Sequence, residues 1–257
     1  MAKIMLLANT EVGVKIINFF VSSDDEIVAL YLSGSYPDID KKIIQKSRVS
    51  KDRVFNYNAL KSQSHLEWLK SEKIDVLITV YWPFLLKRQV FEIAEKTVNF
   101  HPAMLPINRG WYPHVHSLID GSVSGVSLHE IDDNADTGKI WAQKEVQIIH
   151  TDTAKTIYER LQIEIVKLFK DNWLNIKSGF LKPFIQDEKN AIYHSKDELI
   201  ELDHINLSKV QTIEETLNLL RARSFGDMGF SYFEKDGVKT YVNIRLSKNV
   251  NMTKEKD

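Results

Sequence analysis

Short apolar runs alternate with stretches of helical spacing along the first half of the chain. KIMLLAN (3–9) is a compact apolar run that ends on helix-start residues, and Val12, Val14, Ile16, Ile17 and Phe20 then recur at helical intervals. EIVALYLSG (26–34) reads as a second strand, IIQKSRV as a helix end and ALKSQSHLEWLKSE (59–72) as an amphipathic helix. DVLITVYW (75–82) is a third strand, FLLKRQVFEIAE (84–95) a helix and TVNF (97–100) a fourth strand. Strand alternating with helix predicts parallel strands joined by crossovers, an open α/β sheet. Ligands of such sheets bind beyond the carboxyl ends of the strands, here residues 80–84 and 101–110.

The texture then shifts. YPHVHSLIDG (112–121) reads as a short helix closed by Gly121. VSGVSLHEID (123–132) and KIWAQKEVQI (139–148) read as strands framing a turn, DNADTG. Residues 153–176 form a long helix capped by Thr151, Asp152 or Thr153. A Gly/Pro loop over 177–195 marks a boundary: residues 1–180 form the larger unit and 181–257 a smaller one. The latter has a helix at 213–223 and a hairpin at 230–246 turning at Asp236-Gly237, and its tail, NMTKEKD, is expected to fray.

The apolar fraction of 43% in 257 residues suffices for a sizeable core. Net charge is −1, and residues 181–257 carry 12 basic and 13 acidic side chains. Neither part has the positive excess of a protein held mainly by phosphate contacts to a long nucleic acid. The absence of cysteine excludes disulfides, thiolate metal sites and a catalytic thiol. No apolar run suits a signal peptide or a membrane span, so a cytoplasmic location is expected. The chain has neither GxGxxG nor a Walker loop.

TVNFHPAMLPINRG (97–110) carries the chemistry. Positions i and i+2 of a strand share a face, so Asn99 and His101 stand together at the strand's end while Phe100 enters the opposite layer. Pro102 ends the pairing. An amide N–H and an imidazole side by side suit acyl transfer, because both can donate to an oxyanion and the imidazole can move a proton at neutral pH. LHEIDDNADTGKI offers Asp132, Asp133 and Asp136 as the carboxylate that orients the histidine. Asp136 lies in a tight Asp-Thr-Gly turn, where presentation rather than burial is expected. No metal ligand set is predicted.

Strand-N-x-H-P-x-x-L-P, then Gly110, a short helix and D-x-G-x-I about 35 residues past the histidine resembles the formyltransferase family that uses 10-formyltetrahydrofolate. The resemblance covers residues 1–150. It implies a Rossmann-like fold, an Asn-His-Asp triad at Asn99, His101 and Asp136, and a folate cleft between Tyr81, Trp82, Pro83, Phe84, Leu85 and the loop from Ile131 through Asp132 and Asp133 to Asp136. GWYPHVHSLIDG and LLRARSFGDMGFSYFEKDGVKTYVNIRL extend the resemblance to enzymes that N-formylate nucleotide-linked amino sugars, typically thymidine-diphosphate (dTDP) 3-amino or 4-amino dideoxysugars, for surface polysaccharides such as lipopolysaccharide O-antigen. On that reading Arg221 and Arg223 meet a diphosphate, Phe225 or Tyr232 stacks on a base, and Trp111 and His114 wall the sugar pocket. Helix-end cations and packed hairpin aromatics account equally for the residues of the second half. A homodimer through the C-terminal hairpin is expected, without nucleic-acid or membrane partners. A methionyl-tRNA formyltransferase-like enzyme, a formyl-folate hydrolase and a non-catalytic nucleotide-sugar binder stand as alternatives.

Overall fold

The computed structural model describes residues 1–248; the NMTKEKD tail lies outside them. In chain order the elements are β1 (Lys3–Ala8), α1 (Thr10–Val21), β2 (Glu26–Leu32), α2 (Pro37–Ser47), β3 (Val54–Asn56), α3 (Gln63–Glu72), β4 (Val76–Val80), α4 (Arg88–Phe91), β5 (Lys96–His101), α5 (Pro113–Asp120), β6 (Gly125–His129), β7 (Ile140–Glu145), α6 (Ala154–Lys177), α7 (Glu198–Asp203), α8 (Ile213–Ala222), β8 (Tyr232–Lys235) and β9 (Val238–Tyr241). The main sheet has seven strands in the order β3-β2-β1-β4-β5-β6-β7. The first five are parallel, β6 is antiparallel to β5, and β7 is antiparallel to β6 and so runs with the first five. The mostly parallel α/β sheet expected from the strand–helix alternation is present, with a small hairpin region after it.

Alternation within each strand distributes its side chains between two cores. Ile4, Leu6 and Ala8 of β1 join Val98 and Phe100 of β5 beneath α1 and α6, where Phe20 packs edge to face on both Phe169 and Trp173. Met5, Leu7, Tyr31 and Leu77 pack on the other side with Leu66 and Leu69 of α3. Strand order reverses between β1 and β4, which opens a crevice at their carboxyl ends. Asn9 staples it: its amide donates to the Tyr81 carbonyl (3.0 Å) and its oxygen accepts from the Ser33 hydroxyl (3.1 Å). Asn9 therefore stands at the head of α1 without capping it.

Two elements differ from the sequence reading. The helix expected over 84–95 is confined to Arg88–Phe91, because the Phe84 and Leu85 side chains turn to the crevice instead of forming a buried helix face. The long helix is capped by Thr153, one of the three expected candidates, in a box with Thr156. The hairpin is shorter than 230–246: Val242 N–H to Ser231 O (2.8 Å) adds one more bond in its register, and Ile244 N–H then leaves it for Ser224 Oγ (3.1 Å).

One buried carboxylate ties the two ends of the main unit together. Asp25 accepts from Ala2 N–H (2.8 Å), Trp173 Nε1 (2.7 Å) and Lys177 Nζ (2.9 Å). Burial raises its pKa, but Lys177, Trp173 and Ala2 together outweigh that and hold it below the ordinary carboxylate value. Asp25→Ala strands a buried indole N–H and an ammonium and is expected to cost about 3 kcal/mol in urea unfolding. A depressed carboxylate stabilises above its unfolded pKa of 3.8, so the gap between wild type and Asp25→Ala narrows only as pH falls below that value.

Candidate active site

Three strand ends and two loops build the site. β5 projects Asn99 and His101 on one face. Antiparallel pairing sets His129 of β6 directly opposite Asn99. The loop after β6 then folds back: Gly138 lies so close to Glu130 that a Cβ there would meet the Glu130 carbonyl oxygen at 1.9 Å. Asp132 Oδ1 accepts from Asn134 N–H (3.2 Å) and Thr137 Oγ1 (2.6 Å), which tightens the turn that delivers Asp136.

Asp136 is the convergence point. Its Oδ1 lies 3.4 Å from His101 Nδ1, 3.3 Å from His129 Nε2 and 3.2 Å from Asn99 Nδ2. Its Oδ2 accepts the Gly110 backbone N–H at 3.0 Å. Presentation to solvent was the expectation for this side chain, but only 14% of it is exposed. Gln186, from well beyond the long helix, holds the turn inward by donating to the carbonyls of Asp136 (2.8 Å) and Gly138 (2.7 Å). Burial alone would raise the Asp136 pKa; the neighbouring imidazoles and the Gly110 N–H outweigh it and hold the group well below the usual carboxylate range.

Backbone carbonyls fix both imidazoles. His101 Nε2 donates to Asn108 O (3.0 Å) and His129 Nδ1 donates to Glu130 O (2.6 Å). The remaining nitrogens, His101 Nδ1 and His129 Nε2, therefore point at Asp136, and a proton taken up by the site lies among these atoms. Burial lowers the His101 pKa below its ordinary 6.5, against the opposing pull of Asp136 and the Asn108 carbonyl. Thr79 Oγ1 donates to Asn99 Oδ1 (2.6 Å), which turns the Asn99 amide nitrogen toward His129 (2.9 Å) and Asp136. A donor, a buried base and an anion thus meet at one point. That combination can stabilise an oxyanion and carry a proton.

The group opens into a cleft of about 410 Å³. Tyr81, Trp82, Phe84 and Leu85 line one wall, Ile131, Asp132 and Asp136 another, and Trp111 and His114 a third. Asp133 instead faces solvent and pairs with Arg88. His114 is buried against the Tyr158 ring at 4.9 Å, and burial pushes its pKa down to about 3. The buried Tyr81 hydroxyl, Trp82 Nε1 and His114 Nδ1 have no protein hydrogen-bond partner. Four residues around the cleft, Thr10, Tyr81, Tyr112 and Asp136, are non-glycine residues at positive φ, a backbone cost that concentrates at functional sites.

The structure does not bring the residues expected at the nucleotide into this cleft. Arg221 is buried and donates to the carbonyls of Asp152 (2.7 Å) and Ile149 (2.7 Å). Arg223 pairs with Asp203 (2.6 Å) and lies over the Phe230 ring. Their donors are used in holding α8 to the loop before α6 and to α7. Phe225 packs behind Tyr158, and Tyr232 sits in the hairpin beside Tyr241. Among the described residues lining the cleft none is Lys or Arg.

Sequence reasoning left His129 unassigned and missed Thr79, Asn108 and Gln186. Only His129 had a signal, its place in the strand just before the Asp136 turn. His116, His194 and Glu198 place potential metal-ligand atoms within 4.8 Å of one another. The two rings stack face to face at 3.4 Å and 4°, so their in-plane lone pairs run parallel and do not converge on one ion.

Comparison with known proteins agrees with this arrangement. A family model described as formyl transferase matches residues 2–171, and one described as the N-formyltransferase dimerization C-terminal domain matches residues 198–248. The dTDP-4-amino-4,6-dideoxyglucose formyltransferase of Mycobacterium tuberculosis is 34% identical over 152 residues, 59% of this chain and 64% of that protein. The chain thus matches less than two thirds of that relative's length. The methionyl-tRNA formyltransferase of Bacillus velezensis is 22% identical over 96% of this chain and 80% of its own. The structure of the formyltransferase PseJ from Anoxybacillus kamchatkensis, in complex with UDP-4,6-dideoxy-4-formamido-L-AltNAc and tetrahydrofolate, superposes with a TM-score of 0.59. It is 26% identical and the match covers 86% of this chain and 98% of that one. With a family model spanning most of its length and the Asn-His-Asp constellation assembled at the head of the sheet, this chain belongs to the formyl transferase family.

Proposed function

We propose that the protein moves a formyl group from 10-formyltetrahydrofolate to the amine of a nucleotide-linked amino dideoxysugar, with dTDP as the nucleotide. The observation that carries this is the convergence of Asn99, His101 and His129 on the buried Asp136 carboxylate at the base of an aromatic cleft. The choice of acceptor draws on the relatives: one named for a dTDP-amino sugar, the other solved with a UDP-formamido sugar and tetrahydrofolate. The loop Tyr81–Leu85 and the turn Ile131–Asp136 hold the folate, and Trp111 and His114 wall the sugar.

In this reading His101 Nδ1 accepts the proton of the sugar amine as its nitrogen bonds to the formyl carbon. The imidazolium so formed faces Asp136, which stabilises it. Asn99 Nδ2 donates to the oxyanion of the tetrahedral intermediate. As the bond from the formyl carbon to N10 breaks, His101 returns its proton to N10, so no external acid is needed. Asp136 remains ionised throughout.

The methionyl-tRNA alternative requires a phosphate-facing basic surface, and a net charge of −1 does not provide one. The C-terminal region assembles a homodimer: Ile213, Val238 and Tyr241 are 80%, 62% and 59% exposed in the single chain, within the stretch that matches a dimerization domain.

Incubation with 10-formyltetrahydrofolate and a panel of dTDP- and UDP-amino sugars, with methionyl-tRNA as a parallel acceptor, is expected to add one formyl mass to a dTDP sugar and none to the tRNA. Formylated tRNA alone, or folate consumption without any acceptor, overturns the reading. His101→Ala and Asp136→Asn are expected to lower kcat by about 10²–10⁴ with ligand binding retained. Because burial depresses the His101 pKa, the ring stays a competent base to the acid side of 6.5, and kcat falls only below that pH; a fall already under way above 7 counts against Nδ1 as the base. Size exclusion is expected to give roughly twice 29.8 kDa, with Val238→Glu shifting the protein to the monomer.

A further inference from the structure

His101 can act as described only while its Nε2 carries the proton and Nδ1 is free. The Asn108 carbonyl enforces that tautomer at 3.0 Å. Asn108 is 1% exposed and sits at φ 59°, a left-handed conformation that does not hold itself in place. Its side chain is its anchor. Nδ2 donates to the hydroxyls of Ser117 (2.9 Å) and Ser122 (3.0 Å), and Oδ1 meets His194 Nε2 at 3.0 Å.

His194 belongs to a segment remote in sequence. Its Nδ1 faces Glu198 Oε2 at 2.7 Å, so both ring nitrogens meet oxygen acceptors and both donate, and the other Glu198 oxygen accepts Ser195 N–H at 2.6 Å. The His116 ring stacks against its face. Residues 109–110 pair with 193–194 through Arg109 N–H to Ile192 O (2.8 Å) and Trp111 N–H to His194 O (3.0 Å). The path Glu198–His194–Asn108–His101 is therefore continuous, with every step a hydrogen bond. His194 and Gln186 lie between the two stretches matched by the family models, and Glu198 is the first residue of the second.

We infer that His194, acting through Asn108, is a positioning residue that holds His101 in the Nε2-protonated tautomer. Its kinetic consequence rests on the proposed role of His101; the tautomer itself does not. Loss of the His194 ring nitrogen leaves the buried Asn108 oxygen without its partner. The carbonyl then turns from the ring, and the proton shifts to Nδ1, where it blocks the base.

Two readouts on the full chain test this. Long-range ¹H–¹⁵N spectra of the histidine rings are expected to show His101 protonated at Nε2 in the wild type and as a mixture of tautomers in His194→Phe, which keeps a ring to stack on His116. In formyl transfer, His194→Phe is expected to lose about 10- to 100-fold in kcat with both KM values within about twofold. His194→Gln, which restores an N–H near Asn108, recovers most of the loss. Unchanged His101 signals, or a fall in kcat and rise in KM together without rescue by Gln, overturn the proposal. If the wild type formylates no acceptor, the functional reading fails and the spectra alone still decide the tautomer. Should His194→Phe not fold, Glu198→Ala frees the Nδ1 side of the same ring from a partly exposed carboxylate and is held to the same spectral shift.

Discussion

Burial of the Asp136 carboxylate is the constraint around which this site is arranged. A charge that is 14% exposed is tolerated only when polar groups meet it, because an uncompensated buried carboxylate costs several kcal/mol. The cleft supplies no Lys or Arg for the purpose. Hydrogen bonds come from a backbone N–H and an amide N–H, and the two imidazole edges that face the carboxylate are where a proton taken up by the site is held. The imidazole edges can take up and release a proton beside the carboxylate, where a guanidinium would lock the charge permanently. The same burial that makes the carboxylate demanding keeps His101 basic in the useful sense, neutral and ready to accept. Stability and chemistry are therefore set by one desolvation effect with opposite consequences for the two partners.

Sheet topology makes the convergence achievable. Parallel strands end at one edge, so β1, β4 and β5 deliver Asn9, Thr79, Asn99 and His101 to a common crevice. A purely parallel sheet would require the next strand to return through a long crossover. The antiparallel entry of β6 instead lays His129 against Asn99 and lets a short, tight turn swing Asp136 over both. The positive φ of Asp136, Asn108, Tyr81 and Tyr112 follows from that compactness: the backbone must reverse within a few residues to aim carbonyls and side chains inward. Outside contacts hold those turns in place, Gln186 on the Asp136 turn and Asn9 on Tyr81.

Much of this was legible in the chain. Strand alternation predicted that Phe100 would enter the core while Asn99 and His101 faced the crevice, and the two cores on either side of β1 follow the same rule. The apolar loop after β4 was placed correctly at the cleft, although its apolar residues also imitated a helix at 84–95. What the sequence did not reveal is that Arg221 and Arg223 are engaged within the fold. A cation in the last turn of a helix looks the same in sequence whether it waits for a ligand or caps nearby carbonyls, and only the geometry of Asp152, Ile149 and Asp203 separates the two. The exposure expected of Asp136 failed for a related reason, since nothing in an Asp-Thr-Gly turn announces a glutamine 50 residues later.

The least legible feature is the one that orients the imidazoles. Both rings are aimed by main-chain carbonyls, of Asn108 and Glu130, and every residue has a carbonyl. No side-chain identity at position 130 is demanded by that contact. At 108 the side chain matters only because it secures a left-handed backbone, not because it touches the reacting groups. A motif search therefore finds the donor, the base and the anion but misses what gives them direction. That direction is supplied by main-chain conformation, and the conformation is held in turn by residues 186–198, far along the chain from the triad. Chemical identity here is local in sequence, while orientation is a property of the whole fold.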